Sequence, residues 1–442
     1  MKVKGPVALV AGLSTVFAAL TTFAATPVAF EKPPVLKAST LLSVELLKGP
    51  RHRIEESVPT DGFMTAFTIR SDFGDFSASN AELVKIRVNE IAALAQLEKI
   101  SQEQAASEGF KEAGRELGQE FKQIYENPQE TLEGVAAGVG RFFERTARAA
   151  KTGVQKIGDV REQEGKPPPP PSGPGANLPG ATEGAGTAVH GDVVTESAKA
   201  VGKVTADFFG YDDQRRKLAK KLQVDPYTTN PVLSKKLDEV AWAAFKGGLG
   251  VTAIKAIAPA TMVVTIASGA ADWVWDTAPG DLRVQIEKIL LGIGASQVQV
   301  DRFLRHPKYS LTFQARLAKA LERLKGASNR AEVMPLALTV SSVGQARFVV
   351  ESLEILAAYA EKHGPIVRLE VHGTVIGRKQ NGGIVVPAAV DYVSWTAGLN
   401  RFATRPELVA AEKSIWLRGK VSPVVRTQLA RLGWATHEEF VR

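Results

Sequence analysis

The stretch "IVRLEVHGTVIGRKQNGGIVVPAAVDYVSWT", residues 366–396, carries the clearest fold signal in this 442-residue chain. Its first part, residues 366–376, alternates apolar and polar residues as the strand of a half-buried sheet does. Its last part, residues 383–396, is rich in residues that favour strands. Between them lies Asn381-Gly382, a strong turn signal that is typical of type I′ hairpins. The sequence therefore predicts an antiparallel β-hairpin in the C-terminal part of the chain.

The predicted hairpin brings together a candidate acid–base cluster. With the Asn-Gly pair at the turn centre, His372 faces Asp391 across the two strands, on the same side as Glu370 and Arg368. A carboxylate beside an imidazole orients the ring and stabilises its charged form, which general acid–base chemistry requires. His372, Asp391 and Glu370 are therefore candidate catalytic residues, with Glu370 as the second carboxylate. A solvated sheet face would explain the same alternation without any chemistry.

The C-terminal part is also the basic part of the chain. Residues 301–442 contain 21 Lys and Arg residues against 12 Asp and Glu residues, a formal charge of +9, whereas the whole chain carries +8. Such an asymmetry predicts an anionic surface or a protein as partner, although a soluble basic surface alone also explains it. The candidate binding residues are Arg368, Arg378 and Lys379 near the hairpin, and Arg141, Arg145 and Arg148 on a predicted helix.

That predicted helix, residues 132–157, is amphipathic, and basic amphipathic helices lie on anionic membrane surfaces. Its apolar face consists mostly of alanine, glycine and valine, with Phe142 and Phe143 as its bulky residues. Small residues of this kind favour close packing against another helix. Helix packing is the favoured interpretation, and association with a membrane surface is the alternative.

The first 24 residues have the composition of a signal peptide. Lys2 and Lys4 are followed by an apolar stretch from Val7 to Leu20 and by a small-x-small cleavage pattern that ends at Ala24. This pattern predicts export to the periplasm or the extracellular space, and nucleic acid is not an expected partner of an exported protein. The alternative is an uncleaved N-terminal anchor.

Several classes of chemistry find no support in the sequence. The chain has no cysteine, so disulfides, thiolate metal sites and cysteine nucleophiles are excluded. The six histidines show no metal-binding spacing, and there is no G-x-S-x-G elbow, Walker loop or G-x-G-x-x-G fingerprint. We therefore predict neither a metal nor a cofactor. The oligomeric state cannot be read from the sequence.

Composition divides the chain into segments. Residues 166–191 contain five consecutive prolines followed by a Gly- and Ala-rich stretch, which is typical of a spacer. The predicted segments are a signal peptide (1–24), an N-terminal module of short strands and amphipathic helices (25–158), a linker (159–191), a helical region (192–340) and an α+β domain (341–442). The predicted fold class is α+β, with mainly helical N-terminal and central regions and a C-terminal α+β domain that contains the hairpin.

Capping signals place several helices. The Asn-Pro pair at 230–231 begins a helix, because asparagine accepts from free backbone amides and proline needs no donor in the first turn. Leu233, Leu237 and Val240 then share one face. The conspicuous stretch "DPYTTNPVLSKKLDEVAWAAFKGG", residues 225–248, is therefore interpreted as caps and a packed helix rather than a binding site.

Other capping signals are found near both ends of the chain. Ser79 and Glu82 have the spacing of a capping box, which predicts a helix start. Ser422 precedes a proline and predicts a helix that ends at Gly433. Just before it, "SIWLRGK", residues 414–420, is predicted to be a strand.

Residues 249–271 contain a single charged residue, Lys255, and are long enough to span a membrane. A stop-transfer segment is normally followed by basic residues, whereas Asp272, Asp276 and Asp281 follow here. A buried apolar helix is therefore predicted.

Taken together, these patterns predict an exported, non-catalytic binding protein that meets an anionic or protein partner through its basic C-terminal part. The first alternative is an exported hydrolase that uses His372, Asp391 and Glu370. A second alternative is a secreted membrane-active protein that inserts residues 249–271.

Overall fold

The computed structural model describes residues 29–104, 210–246 and 271–440. Helices account for 52% of these residues and strands for 19%, so the predicted mixed α and β class is confirmed. The signal peptide, the predicted basic helix, the linker and nearly all of the apolar stretch 249–271 lie outside the described residues. Within the three described ranges, no helix is both long and apolar enough to cross a membrane.

The first described range is dominated by short strands and ends in one long helix. Strands β2, β3, β5 and β6 form an antiparallel sheet in that order, and β1 pairs with β4. The elements are β1 (Val35–Lys37), α1 (Ala38–Leu41), α2 (Val44–Leu47), β2 (Lys48–Gly49), β3 (His52–Ile54), β4 (Ser57–Pro59), β5 (Phe67–Ser71), β6 (Gly74–Ala78) and α3 (Ala81–Gln104).

The remaining ranges are helical up to residue 362 and mixed after it. The helices are α4 (210–222), α5 (Pro231–Phe245), α6 (Ala271–Asp276), α7 (Pro279–Gly292), α8 (Gln297–Leu304), α9 (Leu311–Arg323), α10 (Val333–Leu338) and α11 (Val343–Lys362). The C-terminal elements are β7 (Ile366–Val371), β8 (Val375–Lys379), β9 (Ile384–Ala388), β10 (Tyr392–Val393), α12 (Ala397–Ala403), β11 (Lys413–Leu417), β12 (Lys420–Val421), α13 (Pro423–Arg431) and β13 (Trp434–His437).

One hydrophobic core joins parts of the chain that are far apart in sequence. Helix α3 packs against α5, and Ile91 and Leu97 of α3 share a core with Leu218 of α4 and Leu237 of α5. The β5–β6 hairpin closes the same core through Phe67. The segments on either side of residues 105–209 therefore fold together.

The stretch that begins at Asp225 forms the helix cap that the sequence predicts. Asn230 accepts hydrogen bonds from the amides of Val232 and Leu233, and the helix starts at Pro231, so the predicted cap is confirmed. The side-chain amide of Asn230 also donates to buried Glu90 at 3.0 Å, and the Thr228 hydroxyl donates to the same carboxylate at 2.5 Å. The loop thus stabilises a buried charge on α3.

The predicted capping box at Ser79 is wrong by one residue. Helix α3 begins at Ala81, and Asn80 Oδ1 accepts the amide of Leu83 at 2.6 Å. Asparagine caps as well as serine does. The cap therefore moves one position along the chain without changing the helix that was predicted.

A second core includes α7, α9 and α11 together with the C-terminal sheet. Arg316 of α9 makes two 2.8 Å bonds to Glu354 of α11, and Arg418 donates to Glu351 at 2.8 Å. Arg347 lies 3.5 Å from Glu351, and burial lowers its pKa to about 10, so it stays charged at neutral pH. These ion pairs link α9 to α11, and α11 to Arg418 just after β11.

The C-terminal sheet has five strands in the order β13-β11-β9-β8-β7. Strands β7, β8 and β9 run antiparallel, whereas β9, β11 and β13 are parallel. Helix α11 packs against β8 and β9 on one face. Helices α12 and α13 connect the parallel strands, and Leu399 and Leu429 of these helices line a cavity together with Val386 and Leu417 of the sheet.

The region that was predicted to form a single hairpin forms two consecutive hairpins, β7–β8 and β8–β9, each with its own turn. Residues 366–376 do not form one strand, because Gly373 adopts φ +86° and the chain reverses at His372–Thr374. The second turn contains the predicted Asn-Gly pair, but only Gly382 has a positive φ. A type I′ turn needs positive φ at both central residues. The loop therefore has three residues, and Arg378 pairs with Ile384, one position away from the predicted register.

Of two further C-terminal predictions, one is confirmed in part and one in full. Residues 414–417 lie in β11, but the strand predicted over residues 414–420 ends at Leu417, and Lys420 belongs to β12. Ser422 caps α13 by accepting the amide of Val425, and Gly433 follows the helix with φ +76°. The parallel β11–α13–β13 unit thus arises from signals that are visible in the sequence.

Candidate ligand site

Glu370 is held between two arginines. Arg378 Nη2 donates to Glu370 Oε2 at 2.6 Å, and Arg368 Nε donates to Oε1 at 3.0 Å. Burial would raise the pKa of Glu370, but the hydrogen bonds from Arg378 and Arg368 outweigh it and hold the pKa at about 2. Glu370 is therefore an ionised structural group at neutral pH rather than an acid or a base.

His372 lies in the turn between β7 and β8, not in a strand. Its Nε2 is 3.5 Å from Glu370 Oε2, so the predicted proximity of these two residues is observed. Its backbone amide donates to the carbonyl of Thr374 at 3.1 Å. A residue in a turn has no cross-strand partner, so the predicted pairing of His372 with Asp391 is wrong.

Asp391 binds a different part of the chain. Its Oδ2 accepts the hydroxyl of Thr65 at 2.5 Å and the amide of Thr65 at 3.2 Å. Burial raises the pKa of Asp391 to about 7, against the opposing effect of the Thr65 hydrogen bonds. The carboxyl group thus joins the loop before β5 to the end of β9, and the three predicted catalytic residues do not form one cluster.

The predicted binding residues near the hairpin belong to two different ion-pair groups. Lys379 pairs with Glu412 at 2.5 Å, while Arg368 and Arg378 share Glu370. Arg141, Arg145 and Arg148 lie outside the described residues. In the described part of the chain, no group of three His, Asp or Glu residues is placed to hold a metal ion.

The cavity that we call the sheet pocket lies on the α12 and α13 side of the C-terminal sheet. It is partly open to solvent, and its empty space of about 570 Å³ includes the solvent at this open side. Helices α12 and α13 span only Ala397–Ala403 and Pro423–Arg431, and a long loop, residues 404–412, follows α12. Elements this short leave part of the sheet face uncovered.

The lining of the sheet pocket is almost entirely apolar. Because side chains alternate along strands, the pocket-facing residues of β9 and β11 pair in register, with Val386 beside Ile415 and Ala388 beside Leu417. The helices contribute Leu399, Phe402 and Leu429, and Phe63 comes from the loop that binds Asp391. Thr374 supplies the one polar side chain of the lining. Small-molecule sites in proteins are likewise mostly apolar, with few polar groups.

A half-buried arginine lies near two residues that line the sheet pocket. Arg405 Nη1 donates to the carbonyl of His372 at 2.7 Å, two residues from Thr374. Its guanidinium carbon is 6.0 Å from the ring centroid of Phe402, which lines the pocket. Arg405 has no ion pair with any residue in the ranges that the structure describes. The pocket thus combines an apolar interior with an uncompensated positive charge beside it.

Sequence reasoning missed both the pocket and Arg405. The pocket is assembled from Phe63 and from residues between 374 and 429, which no local pattern connects. Comparison with known protein families, curated proteins and solved structures gives no match to this chain.

Proposed function

We propose that the protein is an exported, non-catalytic binding protein whose C-terminal part holds a ligand in the sheet pocket. The observation that carries this proposal is the pocket itself: a partly open, almost entirely apolar cavity lined by strands and helices of the C-terminal core. Apolar surface left open to water is costly, so an apolar ligand that fills it binds favourably.

The alternative function, hydrolysis, finds less support in the geometry. A general acid or base must be able to change its protonation near the working pH. Glu370 is ionised and bound by two arginines, and Asp391 binds Thr65 rather than His372. The carboxylate next to His372 is that of Glu370, and it is already bound by Arg368 and Arg378.

The predicted anionic partner is consistent with the pocket. The region after residue 300 carries a formal charge of +9, and Arg405 places one of these charges beside the apolar lining. Export rests on the composition of residues 1–24, and membrane insertion by residues 249–271 remains a prediction of the sequence.

A fluorescence titration with 1-anilinonaphthalene-8-sulfonate, an anionic apolar dye, tests the proposed pocket. We expect saturable binding to the intact chain, with emission that increases in the apolar site. Ala388 lines the pocket, so Ala388→Phe should fill it and weaken dye binding at least about tenfold.

The matched control is Ala435→Phe, which adds the same ring at an exposed position of β13. This variant should bind the dye like the unmodified protein, and thermal melts should show that both variants are folded. Equal dye binding by Ala388→Phe and the unmodified protein would remove the pocket as the site.

A further inference from the structure

We infer that α4 and the loop before α5 form a binding site for one buried water molecule, which is held by Asp212, Arg216 and the hydroxyl of Tyr227. The site is separate from the sheet pocket, because none of these three residues lines that pocket. The bound water joins the loop to α4. It gives a role to the Tyr227 hydroxyl, which the cap of α5 leaves unused.

Asp212 is a buried carboxylate that lacks a partner. The residue is only 8% exposed, and in the described ranges its buried Oδ2 atom has no hydrogen bond. No ion pair joins this carboxylate to a described residue either. Burial raises the pKa of Asp212, and the nearby charges of Arg215 and Arg216 oppose this effect. A buried carboxylate without hydrogen bonds is costly, so Asp212 requires a donor at this position.

Two more buried atoms without a partner in the described ranges belong to the same group, Arg216 Nε and Tyr227 Oη. Arg216 follows Asp212 by one helical turn, so the two residues lie on the same face of α4. Arg216 Nη1 donates to the carbonyl of Trp275 at 3.1 Å, and the Trp275 indole donates to the carbonyl of Val224 at 2.9 Å. Val224 is three residues before Tyr227, so these bonds bring the loop beside Arg216.

The electrostatics of Tyr227 agree with this placement. Burial raises the pKa of its hydroxyl, the charge of Asp212 raises it further, and Arg216 opposes both effects. Both charged groups of α4 therefore act on the hydroxyl, although neither bonds to it directly. Polar groups that lie near one another without direct contact are commonly bridged by water.

The balance of charge selects a neutral ligand. Two neighbouring ion pairs have N–O distances of 2.6 Å, and they are Arg215 with Asp238 and Lys217 with Asp213. Arg216 then balances Asp212, and the exposed Arg283 has a smaller effect on Asp212 than Arg215 and Arg216 have.

The unpartnered atoms decide which neutral ligand fits. The ligand must donate to the carboxylate of Asp212 and accept from Arg216 Nε, while the Tyr227 hydroxyl can do either. A water molecule meets both requirements. Buried waters typically make about three hydrogen bonds to polar groups of this kind.

A crystal structure of the intact chain, at a resolution that shows ordered water, tests the inference directly. We expect one density peak within hydrogen-bonding distance of Asp212 Oδ2, Arg216 Nε and Tyr227 Oη. A direct bond from Arg216 or Tyr227 to Asp212, without a peak between them, would overturn the inference. Soaking such crystals in rubidium bromide distinguishes water from an ion, since both of these ions scatter anomalously. An anomalous peak at the site would overturn the assignment to water.

Substitution of Tyr227 tests the same site in solution. Tyr227→Phe removes the hydroxyl and leaves the water one hydrogen bond short. We expect the equilibrium constant of folding to fall at least about fivefold, measured by urea denaturation.

The matched control is Tyr309→Phe. The Tyr309 hydroxyl is also buried without a partner in the described part of the chain, but burial alone raises its pKa and no neighbouring charge contributes. This variant should leave the equilibrium constant unchanged or raise it, because no bond is lost. Equal losses for the two variants would overturn the role of the Tyr227 hydroxyl. None of these outcomes changes the account of the sheet pocket.

Discussion

Asp391 shows how one residue links distant parts of the chain. Its partner, Thr65, is 326 positions earlier in sequence. The amide of Asp391 also donates to the carbonyl of Phe63 at 3.0 Å, and Phe63 lines the sheet pocket. The carboxyl group of Asp391 therefore helps to hold one wall of the candidate ligand site.

The raised pKa of Asp391 predicts a pH-dependent stability. Burial raises the pKa to about 7 from 3.8, so the folded protein holds a proton that the unfolded chain releases. This stabilisation is complete below the unfolded pKa and is lost as the pH rises through about 7. We expect the free energy of unfolding to fall between pH 5 and pH 8, measured by urea denaturation.

Asp391→Asn should flatten that dependence. The asparagine Oδ1 can still accept from Thr65, but it does not titrate. Other buried carboxyl groups with raised pKa, such as Asp238, and histidines with lowered pKa, such as His437, are common to both proteins. The difference between the two curves thus isolates Asp391, and parallel curves would contradict its raised pKa.

At the same scale, the sequence predicted part of the acid–base cluster. Glu370 and His372 lie close together because they are two residues apart at a strand end. The pairing with Asp391 failed because Gly373 breaks the strand and because the Asn-Gly loop is one residue longer than a type I′ turn. Neither feature is determined by the local residues alone.

At the scale of elements, the helices with strong caps were the easiest to predict. The Asn-Pro start of α5 and the Ser-Pro start of α13 are both observed, with side-chain bonds to the first amides. These signals are local, since the capping residue and the amides that it binds lie within three positions. Strand register depends on contacts beyond the turn residues themselves. The register predicted for the two strands beside Asn381-Gly382 was wrong by one position.

Asn230 should contribute more to stability than an ordinary cap. It caps α5 and also donates to Glu90, a buried carboxylate that is 1% exposed. Losing a cap costs about 1 kcal/mol, and removing a partner from a buried charge costs about 1.5–3 kcal/mol. We expect Asn230→Ala to lower the free energy of unfolding by about 2.5–4 kcal/mol in chemical denaturation.

Ser296 provides the comparison, because it caps α8 at an exposed position through a capping box. Ser296→Ala should cost about 1 kcal/mol, which is the ordinary value for a cap. Equal losses for the two variants would show that the bond to Glu90 adds nothing. This outcome would contradict a structural role for the loop that precedes α5.

At the scale of the whole molecule, the described residues outside the first 30 positions cluster into one compact unit. Composition predicted the mixed class and the basic C-terminal region. The sheet pocket was beyond sequence reasoning, since it depends on how the short helices α12 and α13 cover the sheet and on a loop that comes from the other end of the chain. Such a site follows from tertiary packing rather than from any motif.

The position of a bound ligand tests the central claim most directly. A crystal of the intact chain grown with bromobenzene should show anomalous bromine density inside the sheet pocket, among Val386, Leu399 and Leu417. Bromine density at any other surface, or an empty pocket at saturating ligand, would contradict the account.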